Sequence, residues 1–123
     1  TGIAGAGQGE RIANASAEVF NRLHPRLIGS SMLTVYPDSR LYQEIQAGNW
    51  TEAGEVEKYE ELKTLVSHLT IPVTFAALGS SNAYQFQGEL PGDREALLSA
   101  LDRIIRRESE DRLRSYRTNL PHL

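Results

Sequence analysis

Residues whose types and spacing could do chemistry fall in three stretches of the chain. The opening TGIAGAGQGE carries Gly2, Gly5, Gly7 and Gly9 just ahead of a helical pattern. Backbone N–H groups of such a loop, at a helix N-terminus, suit an anion or a ribose-phosphate group. The spacing does not match G-x-G-x-x-G, and no Gly-Lys-Ser/Thr follows, so a plain flexible connector is the alternative. Ser30, Ser31 and Thr34 interrupt an otherwise apolar run. Their hydroxyls either bond nearby backbone or face a barrel lumen near a strand's C-terminal end. Ser80, Ser81 and Asn82 follow a second apolar run, at the end of a strand where α/β proteins bind ligands. No nucleophile elbow or Ser-His-Asp pattern accompanies these serines. His24, His68 and His122 are scattered without metal spacing. They read as helix-end or terminal groups, so no catalytic residue and no metal site is assigned.

The elements that must position these groups follow from periodicity. A helix is predicted over 10–24, with Ile12, Val19, Phe20 and Leu23 on one face and Pro25 as its stop. Residues 27–35 are short, uncharged and bounded by Pro25 and Pro37, which predicts a buried strand. Asp38 or Ser39 caps a short helix that Gly48 closes. The strongest helix spans 55–69. Val56, Tyr59, Leu62, Leu65, Val66 and Leu69 point inward, and Glu57, Lys58, Glu60, Glu61 and Lys63 cover the other side. Residues 72–78 form a second buried strand. Residues 83–87 are extended until Gly88–Gly92 breaks them, and Asp93, Arg94 and Glu95 open another helix. From Arg106 the chain becomes a charged helical tail with i, i+4 pairs, or else a docking surface for RNA or a neighbouring domain. This order, with a strand tail before the glycine loop, predicts parallel strands joined by right-handed crossovers.

Composition narrows the function classes. With 123 residues the chain is one domain. It has no cysteine, which excludes disulfides, a thiol nucleophile and a cluster held by its own thiolates. Its 16 acidic and 13 basic side chains argue against general nucleic-acid binding. No run of about 18 apolar residues exists to span a membrane.

Three segments resemble a family. Met32-Leu33-Thr34-Val35-Tyr36-Pro37-Asp38-Ser39-Arg40-Leu41-Tyr42, followed by Ile45-Gln46-Ala47-Gly48-Asn49-Trp50, resembles the L-T-x-x-P-G-T-x-L-Y-x-x-I-x-x-G-x-F stretch of radical S-adenosylmethionine proteins of the Fe–S oxidoreductase group. Asp38 stands where that group has Gly, and Trp50 where it has Phe. Ser81-Asn82-Ala83-Tyr84, then Gly88-Glu89-Leu90-Pro91-Gly92-Asp93-Arg94 and Leu97-Leu98, is similar to S-N-x-x-x-x-x-G-x-L-P-x-D-K-x-x-L-L, with Arg94 for Lys. Gly2-Ile3-Ala4-Gly5 and the helix ending at Asn21 to Pro25 fit as well.

The resemblance implies an α/β fold of three βα units, half of a partial (β/α)6 TIM-like barrel, over 1–105, with a charged helical tail over 106–123. It implies that the chain is the C-terminal half of an enzyme core, whose N-terminal half carries the C-x3-C-x2-C loop. S-adenosylmethionine and a [4Fe–4S] cluster belong to the intact protein, and this chain alone is expected to bind neither and to be inactive. By position, Gly2, Gly5, Gly7, Ser30, Met32 and Thr34 are the cofactor-facing residues, and Asn82 faces the substrate. The implied partner is the missing half, or a second copy through exposed half-barrels, in a cytoplasmic setting. A stand-alone α/β binding domain without catalysis is the alternative. It explains the absent nucleophiles equally well.

Overall fold

The computed structural model describes residues 1–120 of the chain. The first helix, α1 (Gly9–Leu23), buries Gly9, Ala13 and Ala17, an i, i+4, i+8 row of small residues. It closes at His24, whose left-handed φ of 52° aims its N–H at the Phe20 carbonyl. Then come β1 (Leu27–Gly29), α2 (Arg40–Gln46) and α3 (Glu55–His68). Ser39 caps α2, its hydroxyl accepting from the Tyr42 N–H. β2 (Val73–Ala77), β3 (Phe86–Leu90), α4 (Arg94–Arg107) and α5 (Glu110–Thr118) complete the described chain.

The three strands form one open sheet in the order β1-β2-β3. β1 and β2 run parallel, with Leu27 opposite Thr74 and Gly29 opposite Ala76. β3 is antiparallel to β2, with Val73 opposite Leu90 and Ala77 opposite Phe86. The chain is therefore mixed α/β, and parallel pairing does not extend to β3. The physical reason is length. Residues 78–85 are too few for a crossover, which takes a dozen or more, and return the chain as a hairpin instead. Gly88, expected to break the chain, lies inside β3. A Cβ there would stand 3.0 Å from Asp93 Cβ and Leu97 Cδ1, so the missing side chain lets α4 lie close to the strand.

The strand expected over 27–35 ends at Gly29. Ser30 still donates to the Ala76 carbonyl, and beyond it the chain turns its backbone to Thr1. The Thr1 amine donates to the Ser31 carbonyl at 2.9 Å, and the Leu33 N–H donates to the Thr1 carbonyl at 3.0 Å. Thr1 is all that the described chain shows of the strand tail expected before the glycine loop.

One face of the sheet carries the core. Ile28, Val73, Phe75, Ala77 and Leu90 pack with Tyr59, Leu62 and Val66 of α3 and with Leu97, Leu101 and Ile104 of α4. The opposite face presents Leu27, Gly29, Gln87 and Glu89, all exposed, and Thr74 and Ala76, half-buried. In the stretch expected as a charged tail, α4 ends at Arg107 and α5 turns back, burying Leu113 in the same core. His122 lies outside the described residues.

Candidate functional site

Lys58, expected on the outer side of its helix, is fully buried. Glu55, Lys58, Tyr59 and Leu62 form an i, i+3, i+4, i+7 stripe, so helical position overrides residue type here. The Lys58 ammonium donates to Glu52 Oε1 at 3.1 Å, to Glu55 Oε1 at 3.1 Å and to the Leu33 carbonyl at 3.3 Å. All three of its protons are thereby used, which offsets the desolvation of the charge. Glu55, 2% exposed, also takes the Arg117 guanidinium, with Nε on Oε1 and Nη2 on Oε2, both at 2.9 Å. The third arm of Arg117, Nη1, donates to Thr34 Oγ1 at 3.0 Å. Burial alone would raise the Glu55 carboxyl, but the Arg117 bonds and the Lys58 charge outweigh it and hold it below its ordinary value.

Glu110 of α5 adds a second link to α3. Its carboxylate accepts from the Glu55 N–H at 2.9 Å and the Val56 N–H at 2.7 Å. Gly54, the residue before α3, has no side chain to do this. Glu57 of α3 serves α1 in the same way, accepting from Gly7 at 2.7 Å and from Gly9 at 3.4 Å. Two helix N-termini are thus neutralised by carboxylates from other helices.

Above the Glu55–Arg117 pair lies a cleft of about 350 Å³, lined by Thr34, Tyr36, Glu52, Ser80, Ser81 and Arg117 among others. It sits beyond the C-terminal ends of β1 and β2, where open α/β sheets receive ligands. α5 forms its outer wall through Arg114, Arg117 and Thr118, and the Tyr116 hydroxyl donates to the Ser80 carbonyl at 3.1 Å. A shallower groove beside it is lined by Thr1, Ile3, Ser31, Met32, Thr34 and Gly79, together with Ser80 and Ser81. Hydroxyls, the Glu52 and Glu55 carboxylates and the Arg114 and Arg117 guanidinium groups suit hydrogen bonding to a small polar molecule. Among the described residues no group of three or more His, Asp or Glu is placed to hold a metal ion.

The structure separates the residues assigned to the cofactor. Gly2 and Gly7 give their N–H groups to Glu61 Oε2, at 2.8 Å, and Glu57 Oε1. A Cβ at Gly2 would meet Lys58 Cε at 2.9 Å, and one at Gly5 would meet Trp50 Nε1 at 2.9 Å. The loop is an anion cradle, and its anions are the chain's own glutamates. Ser30 turns its hydroxyl to Thr1 Oγ1, at 3.0 Å. Met32 is buried, with its edge on the shallow groove, and Thr34 alone of the six lines the main cleft. Asn82, assigned to the substrate, is 1% exposed and ties Ser30 O to Gly79 O through its amide nitrogen, fixing the two strand ends together. His24 and His68 stand at the C-terminal ends of α1 and α3. Sequence reading missed Glu52, Glu55, Lys58 and Arg117; the signal available for Glu55 and Lys58 was their place on the apolar stripe of α3.

Comparison with protein-family models, with curated proteins and with solved structures finds no match to this chain. No helix among the described residues is long and apolar enough to cross a membrane.

Proposed function

We propose that the strand-end cleft is a small-molecule site, and that the chain supplies the cofactor- and substrate-facing strand ends of a radical S-adenosylmethionine oxidoreductase. One observation carries this reading. The parallel strands β1 and β2 end together at a hydroxyl-lined cleft, while the sheet face beside it stays open to solvent. Parallel strands are ordinarily covered on both faces, so a partly polar open face fits the wall of a larger enclosure.

The chain's own residues limit its part. With no cysteine it does not fit the [4Fe–4S] cluster, and no step is assigned through that group. Gly2, Gly5, Gly7 and Ser30 are engaged within the protein and do not fit the role of cofactor donors. Thr34, Ser80 and Ser81 are the hydroxyls placed to bind and orient a ligand, with Arg117 behind them. The coding sequence upstream of the Thr1 codon tests the proposal. An in-frame C-x3-C-x2-C, and iron bound by the protein expressed from that longer frame, is the expected result. A frame without that motif overturns it.

A second reading is favoured by the closure of the cleft from within. Arg117, Glu110 and Tyr116 of α5 tie its outer wall to α3 and to Ser80. That closure supports the alternative, a stand-alone α/β binding domain without catalysis. It predicts saturable binding of a small polar ligand by the 123-residue chain, which Thr34→Val weakens.

A further inference from the structure

We infer that the outer edge of β1 seats one more extended segment of this chain, the residues immediately upstream of Thr1, running parallel to β1. The inference stands on the pairing of Thr1 and not on the radical-enzyme reading.

In a parallel ladder, alternate residues of a strand turn their backbone groups to the same neighbour. The Arg26 carbonyl accepts from Thr74, and the Ser30 N–H donates to Ala76. The even series 26, 28, 30 therefore addresses β2. The odd series Leu27, Gly29, Ser31, Leu33 addresses the other side. Two of its groups are already paired there, the Ser31 carbonyl with the Thr1 amine and the Leu33 N–H with the Thr1 carbonyl. One residue bonding to partners on either side of Met32 is a parallel bridge, with Thr1 aligned on Met32. Side chains agree with this register: Thr1 Oγ1 meets Ser30 Oγ on the helix side of the sheet.

The register fixes where a continuation would run. The second residue upstream of Thr1 would donate to the Gly29 carbonyl and accept from the Ser31 N–H. The fourth would accept from the Gly29 N–H. Their side chains would enter a groove of about 180 Å³ between α1 and β1, lined by Ile12, Ser16, Phe20, Ile28, Leu62 and Leu65 among others. That lining asks for apolar side chains at the second and fourth upstream positions. The first and third would share the open face with Leu27, which is 61% exposed. The segment, α1 and β1 would then make one strand-helix-strand unit, with Gly2 to Gln8 as the turn into the helix.

Amide hydrogen exchange tests this on the 123-residue chain and on the chain lengthened by the residues its gene encodes before Thr1. Slowing of Gly29 and Ser31 by about a hundredfold in the longer chain is expected, with Leu33 protected in both as the sign of an intact fold. Asp at the second upstream position is expected to abolish that slowing and leave Leu33 protected. Unchanged exchange at Gly29 and Ser31 overturns the inference. So does a reading frame that opens directly at Thr1. Slowing at Gly29 that grows with concentration in the 123-residue chain assigns the edge to a second copy, and also overturns it. A pairing segment without C-x3-C-x2-C sustains this inference and ends the radical reading; the motif with a freely exchanging Gly29 does the reverse.

Discussion

Arg117 of α5 holds Glu55 at the start of α3 by two side-by-side bonds of 2.9 Å, with the guanidinium 11% and the carboxylate 2% exposed. The pair joins the last described helix to the middle of the chain. Removing Arg117 leaves the buried Glu55 carboxylate with Lys58 as its remaining charged partner and Oε2 without its bond. Arg117→Met is expected to cost about 3–5 kcal/mol of unfolding free energy, the usual penalty for breaking a buried pair. Arg117→Lys recovers part of this, since an ammonium cannot make both bonds in the plane of the carboxylate. Urea unfolding of the three proteins measures it. A loss under about 1 kcal/mol for Arg117→Met would mean that water replaces the guanidinium.

The same carboxylate sets a pH dependence. In the folded chain Glu55 titrates below its ordinary value of 4.5. A carboxyl with a lowered folded pKa contributes stability that is fully present above its unfolded value. That contribution is lost as pH falls through the folded value. The wild type is therefore expected to lose stability more steeply than Glu55→Gln as pH drops below 4.5. Asp102, held low by its bond from Lys63, acts in the same direction and remains in both proteins. Equal slopes for the two proteins in urea midpoint against pH would refute the assignment to Glu55.

Glu110 is the cap of a helix that carries none of its own. Its two bonds to the Glu55 and Val56 N–H groups predict a loss of about 1–2 kcal/mol for Glu110→Ala, as for other helix caps. Glu110→Gln keeps an acceptor oxygen but loses the charge that favours a helix N-terminus, so its loss should be smaller. Chemical denaturation ranks them. An order of Gln worse than Ala would contradict the capping role.

The opening glycines predict a contrast. Gly5 and Gly7 both have left-handed φ, 88° and 77°. A Cβ at Gly7 meets nothing within 4 Å, whereas one at Gly5 meets Trp50 Nε1 at 2.9 Å and the Thr51 carbonyl at 3.0 Å. Gly7→Ala should cost only the backbone strain, about 1–2 kcal/mol. Gly5→Ala should cost clearly more and shift the Trp50 fluorescence as the indole is displaced. Equal melting temperatures for the two variants would count against this packing.

Much of the framework was legible from local pattern. Pro25 and the apolar stripes placed α1 and α3 to within a residue or two, Ser39 was one of two caps named for α2, and the runs at 27 and 73 became the parallel pair. These follow from neighbours along the chain, which periodicity and capping report directly. β3 was misplaced because Gly88 looks like a breaker until α4 is seen to need its empty side. The candidate site was legible only in part. Thr34, Ser80 and Ser81 do line the cleft, but Gly2, Gly7 and Ser30 spend their polar groups on partners distant in sequence.

The sequence by itself determined where α1, α2 and α3 form and where β1, β2 and α4 begin, that the 123 residues hold no thiolate, and that polar groups gather at two strand ends. Only the tertiary structure decided which charges are buried. Stripe position sets Lys58 apart from Lys63 but does not supply its partners: Lys58 is fully enclosed by Glu52, Glu55 and the Leu33 carbonyl, while Lys63 is 40% exposed and paired with Asp102. A charge enters a core only where partners from distant segments meet it, and their meeting is a property of the packed chain rather than of any stretch of it.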